Sequence, residues 1–299
     1  MKARDPRLRR WRWWCLLLWM PLLGGCSGVA VINALTPAGR TQTVESIAYG
    51  ESSRQQLDIY QPEGAEGRAP VVVFFYGGTW REGERGDYRF VGRALASRGI
   101  VTVVADYRLY PEVRYPGFVE DSAQALAWSY RHIARYGGDP HRLFVMGHSA
   151  GAYNAAMVAL DSRWLAAQSL SPDILSGWIG LAGPYDFLPI TNADARPVFD
   201  WPNTSRDTQP IEHVSDRSPP ALLLASHRDT TVNPERNTAG MARALRAHGV
   251  AVTEDYLDHT SHVTLIASLA WPLRWLGPAL DDIDTFVHGL RSGANAGAQ

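Results

Sequence analysis

The chain has 299 residues, 45% of them hydrophobic and 20% charged, a balance that can bury one large core. Its formal net charge of −1 offers no basic footprint for nucleic acid. The only two cysteines, Cys15 and Cys26, lie near the start, so no disulfide is expected in the domain, and no His-Glu-x-x-His or paired-cysteine spacing is present to hold a metal.

Lys2, Arg4, Arg7, Arg9, Arg10 and Arg12 precede an apolar run from Trp13 to Leu23 that is too short to span a bilayer comfortably as a helix. This pattern predicts a signal peptide over 1–25. Leu23-Gly24-Gly25-Cys26-Ser27 resembles the lipobox of bacterial lipoproteins. That resemblance implies cleavage before Cys26, lipid attachment there, and a periplasmic domain tethered to an envelope membrane. Cleavage nearby by an ordinary signal peptidase, or retention of the segment as an anchor, are the alternatives.

A linker over 26–42, turn-rich and polar from Asn33 to Thr41, leads into a single catalytic domain over 43–291. Thr43 to Tyr49 and Gln56 to Tyr60 alternate like antiparallel edge strands. Val71 to Phe75 is a continuous β-branched and aromatic run, the mark of a strand buried on both faces. The same mark returns at Ile100 to Ala105, Leu143 to Met146, Trp178 to Leu181 and Ala221 to Ala225. Helical patterns lie between, at Tyr88 to Arg98, Val119 to Arg135, Ala150 to Ala159 and Pro234 to His248. Val250 to Tyr256 reads as a last strand, Pro278 to Leu290 as a closing helix, and 292–299 as a disordered tail. Buried strands alternating with amphipathic helices predict an α/β fold, a mostly parallel sheet with helices on both faces. Asp186 to Pro220 has little periodicity and reads as an irregular insertion, either a cover over a site or a surface excursion.

Gly147-His148-Ser149-Ala150-Gly151 follows an apolar strand and opens a small-residue helix, the context a G-x-S-x-G nucleophile elbow needs. The sharp turn presents Ser149 above the sheet, with a helix N-terminus behind it to favour developing negative charge. Serine needs a base oriented by an acid, in the chain order Ser, Asp, His. Asp229 follows the end of the strand Ala221 to Ala225, where ligand-facing groups of a parallel sheet lie; Asp216, Asp255 and Asp258 are the rivals. His262 opens an apolar run after the last strand and is the expected base, with His259 the close rival. His148 occupies the variable position of the elbow and reads as a packing or supporting group. Gly77-Gly78, at the end of the strand through Phe75, leaves backbone N–H groups free to face a tetrahedral intermediate; with the Ala150 N–H they make the expected oxyanion hole. Trp80, Tyr107 and Tyr153 are candidate substrate-binding aromatics.

Tyr76-Gly77-Gly78-Thr79-Trp80 resembles the His-Gly-Gly-x-Trp oxyanion motif of the α/β-hydrolase branch that holds hormone-sensitive-lipase-like carboxylesterases and arylformamidase-like enzymes. Asp106-Tyr107-Arg108-Leu109 with Pro111-Glu112, and the elbow itself, are also similar to segments of that branch. Tyr76 stands where the branch usually has histidine, and Thr79 where its lipase-like members often have a third glycine. The resemblance extends from about Val71 to about Leu269 and implies a cofactor-free serine hydrolase of small esters or related amides. An amide hydrolase, arylformamidase-like or a peptidase, with the same triad is the rival among enzymes, and a binding protein that reuses the fold without its chemistry is the rival class.

Overall fold

The computed structural model describes residues 28–65 and 67–294; the expected signal peptide, Cys26 and the end of the tail lie outside the described residues. The chain begins with α1 (Gly28–Leu35), β1 (Gln42–Ala48), β2 (Gln56–Gln61), β3 (Ala69–Phe75), α2 (Arg89–Ala96) and β4 (Val101–Ala105). Next come α3 (Gly117–His132), β5 (Gly138–His148), α4 (Ala150–Leu160), α5 (Ser162–Ala166) and β6 (Leu175–Leu181). β7 (Ala221–Ala225), α6 (Thr238–Ala247), β8 (Val252–Tyr256), α7 (His262–Ala267) and α8 (Ala279–Ala294) complete it.

The sheet runs in the order β1-β2-β4-β3-β5-β6-β7-β8. β1 and β2 form the antiparallel edge, and every pairing beyond β4 is parallel. Burial explains the sequence patterns. β4 is buried at every position and β3 at all but the first, so both are apolar apart from Thr102, whose hydroxyl donates to the Ile100 carbonyl, whereas β1 has no buried residue. Every residue of α4 is buried, and its alanines and glycine let it sit close on β3, β5 and β6. The chain leaves β3 for β4 on one side and returns to β5 on the other. Strand order therefore reverses around β3, and a crevice opens beyond the carboxyl ends of β3 and β5.

Three segments differ from the sequence expectation. Residues 28–35, placed in a polar linker, form helix α1, which is docked by the Asn33 side chain: it donates to the carbonyls of Gly86 and Asp87 and accepts from the Phe90 N–H. Its eight residues, mostly apolar, merge in sequence with the export segment, which hides the helix. The strand expected over Leu143 to Met146 runs from Gly138 to His148: Gly138 pairs with Ala69 ahead of a register break, and Gly147 and His148 continue the pairing with β6. Helix α8 carries on to Ala294, into the expected tail.

Candidate active site

The elbow sits where β5 gives way to α4. Ser149 is held at φ 54°, ψ −122°, a left-handed backbone that L-residues rarely adopt. The flanking glycines are required by space. A Cβ on Gly147 would lie 2.0 Å from the Gly151 carbonyl oxygen, and one on Gly151 would lie 2.0 Å from that of Phe75. Ser149 Oγ lies 2.8 Å from His262 Nε2, and His262 Nδ1 lies 2.7 Å from Asp229 Oδ2. The network assigns the Nδ1 proton to the Asp229 bond and leaves Nε2 free to accept from the serine.

Each partner is fixed by its own loop. Asp229 Oδ1 accepts the N–H groups of Thr231 and Val232 at 2.8 and 2.9 Å, so the carboxylate is held on both oxygens. Burial acts to raise the Asp229 pKa, but the His262 bond and these two N–H groups outweigh it and keep the carboxyl below its ordinary value. His262 is the first residue of α7, whose N-cap Ser261 forms a reciprocal capping box with Thr264. The Ser226 hydroxyl donates to the Thr260 carbonyl at 2.6 Å and ties the Asp229 loop to the His262 loop. Asp258 and His259 are exposed, and Asp255 Oδ1 accepts the N–H of Tyr256. None of these rivals meets Ser149.

His148 lies beneath the pair. Its Nε2–H donates to the His262 carbonyl at 2.9 Å, and its Nδ1 is buried without a partner. Burial, followed by the electrostatic effect of the neighbouring His262 ring, pushes its pKa down to about 3, so the ring is neutral and cannot compete as the base.

The strand end after β3 turns sharply, with φ of 127° at Gly78, 52° at Thr79 and 57° at Trp80. A Cβ on Gly77 would come within 2.9 Å of Ser149 Cβ, and one on Gly78 within 2.2 Å of the Glu82 carbonyl oxygen. Glycine at 77 thus lets the main chain pass directly against the serine. Ala150 is the first residue of α4, so its N–H has no intrahelical acceptor.

Tyr76 anchors this turn. Its hydroxyl donates to Asp106 Oδ1 at 2.7 Å and accepts from Arg54 at 2.8 Å, and its ring lies between those of Tyr88 and Tyr107. Tyr107, expected in the substrate pocket, is fully buried, and its hydroxyl donates to the Tyr76 carbonyl at 2.7 Å. It supports the turn from behind and does not line the pocket. Tyr153 needs the same correction: it is fully buried, donates to the Thr208 carbonyl at 2.7 Å and packs edge-on against Trp80. Both rings were ambiguous in sequence because an aromatic near a strand end packs inward as readily as it faces a ligand.

Trp80 does line the cavity, with its Nε1–H donated to Asn154 Oδ1 at 3.0 Å. The cavity has a volume of about 370 Å³, and Ser149 and Asp229 lie on its wall. Phe187 and Ile190 from the irregular insertion also line it, so the insertion contributes to the cover of the site. Sequence reading missed these two residues because the insertion has no periodicity. The Asn237 side chain fixes the insertion's start by accepting the N–H groups of Tyr185 and Asp186, and Gln209 accepts that of Phe187.

Such a constellation can carry out nucleophilic acyl transfer: a serine bonded to an imidazole, a carboxylate behind it, and backbone N–H groups beside it. A probable isoprenylcysteine alpha-carbonyl methylesterase of Oryza sativa is 38% identical over 159 residues, covering 50% of this chain and 36% of its own. Esterase LipQ of Mycobacterium tuberculosis is 30% identical over 272 residues, covering 84% of this chain and 64% of its own. The chain thus spans less than two thirds of either relative. The solved structure of esterase B from Lactobacillus rhamnosis superposes with a TM-score of 0.74 at 20% identity, covering 90% of this chain and 92% of that one, which makes the fold that of an α/β-hydrolase. Residues 57–243 match the BD-FAE family over more than half of the chain, and the protein belongs to that family.

Proposed function

We propose that the protein hydrolyses carboxylic esters of small acyl substrates through a serine acyl-enzyme. The observation that carries this reading is the continuous Ser149–His262–Asp229 hydrogen-bond chain opening into a covered cavity of about 370 Å³. The esterase names of the relatives support it. His262 Nε2 accepts the serine proton as Ser149 Oγ attacks the carbonyl, and the Gly77, Gly78 and Ala150 N–H groups hold the oxyanion. The alcohol leaves with the proton from His262, and a water, deprotonated by the same imidazole, releases the acid. A place in the hormone-sensitive-lipase-like branch rests on the Tyr76 to Trp80 and Asp106 to Leu109 segments.

Fluorophosphonate labelling of the folded protein tests the mechanism: wild type should label, and Ser149→Ala and His262→Ala should not. A folded wild type that fails to label would favour the binding-protein reading. Short p-nitrophenyl esters assayed beside N-formyl aryl amides separate ester from amide preference.

We also propose that the protein is exported and tethered to an envelope membrane by lipid at Cys26, on the strength of the Leu23 to Ser27 segment. Incorporation of labelled palmitate, abolished by Cys26→Ser, is the expected result.

A further inference from the structure

Among the described residues the exposed large hydrophobic side chains are Val31, Leu35, Val263, Trp271 and Trp275, the two tryptophans 61% and 75% exposed. They are not scattered. Val31 and Leu35 belong to α1, Trp271 and Trp275 to the 3-10 turn Trp271–Leu276, and Val263 to α7. Both α1 and α7 pack against that turn, so all five lie on three adjoining elements. Isolated exposed hydrophobics need no explanation, but a gathering of all the large ones at one place does.

The surroundings narrow the occupant. Helix α1 carries no charged residue, and the turn carries only Arg274, whose Nε donates back to the Leu269 carbonyl. Nearby Asp281 and Asp284 are both paired with Arg98. The polar side of α1 is committed inward through Asn33, and Arg93 holds the carbonyls of Asn33 and Thr36, which leaves Val31 and Leu35 facing out on a fixed helix. The chain before α1 supplies the second observation. Cys26 stands two residues before Gly28, within roughly 7 Å of chain length at full extension, and the apolar run Trp13 to Leu23 precedes it. A lipid on Cys26 or a retained leader would each bring a bilayer to this face. Exposed tryptophans beside apolar neighbours suit a membrane interface.

We propose that the face formed by Val31, Leu35, Trp271 and Trp275 docks on a lipid bilayer, with Val263 at its edge placing the His262 end of the site next to the membrane. The proposal rests on the tethering reading above and adds to it a defined orientation of the domain.

The test uses the full chain reconstituted in phosphatidylethanolamine and phosphatidylglycerol vesicles that contain a diazirine-bearing phosphatidylglycerol, with photo-adducts mapped by mass spectrometry. Adducts are expected on the peptides that contain Leu35, Trp271 and Trp275. The double variant Trp271→Ser, Trp275→Ser should lose adducts on the α1 peptide several-fold while hydrolysing water-soluble p-nitrophenyl acetate at the wild-type rate. Adducts confined to residues before Gly28 would overturn the docking and leave the tether standing. No adducts at all would overturn both the docking and the tether.

Discussion

His148 Nε2 donates to the main-chain carbonyl of His262 at 2.9 Å, so the residue just before the nucleophile holds the backbone of the residue that would deprotonate it. Removing this bond frees the start of α7 to shift. His148→Ala should lower kcat about tenfold with little change in KM, the size expected for losing one buried hydrogen bond that acts on alignment. Steady-state kinetics on a p-nitrophenyl ester measures it, and a change confined to KM would contradict the positioning role.

The same histidine should leave a mark on acid stability. Its folded pKa is depressed to about 3, so below about 6.5 the unfolded chain takes up a proton that the folded one refuses, and stability falls as pH falls through that window. His148→Asn should flatten the slope by up to one proton, about 1.4 kcal/mol per pH unit, between pH 6 and 4 in urea titrations.

Backbone strain at Ser149 makes a separable prediction. Ser149→Ala and Ser149→Gly should both abolish activity, but at φ 54° only glycine relaxes the main chain. The glycine variant should be the more stable of the two by about 1 kcal/mol, a difference of a few degrees in Tm. Equal Tm values would mean that the elbow stores no strain.

Tyr107→Phe keeps the ring that stacks on Tyr76 and removes only the hydroxyl bonded to the Tyr76 carbonyl. The turn carrying Gly77 and Gly78 then loses one restraint. The expected outcome is a fall in kcat of about threefold to thirtyfold at nearly constant KM, the range for one buried hydrogen bond. A larger effect on KM than on kcat would return Tyr107 to the substrate pocket.

Phe187→Ala should enlarge the cavity from the insertion side. The kcat/KM ratio for bulky over acetyl p-nitrophenyl esters is expected to rise about tenfold, the scale of one or two methylene contacts in an apolar pocket. An unchanged ratio would place the chain-length determinant on another wall.

The sequence by itself determined the apolar runs at the centres of β3 through β7, because burial on both faces favours apolar residues there. It also determined the elbow, since Gly147 and Gly151 stand where no Cβ fits. Asp229 and His262 could be singled out by their places after the strands, although Asp258 and His259 had the same composition of neighbours. Only the tertiary structure decided between them, by bringing two loops distant in sequence within 2.7 Å and turning the rivals to solvent. It alone decided that Tyr107 and Tyr153 support the site from behind while Phe187 and Ile190 close over it. The physical reason is that a sequence pattern records whether a side chain is buried but not against what, and the far wall of a pocket is supplied by chain whose conformation is set by long-range hydrogen bonds such as those of Asn237 and Gln209.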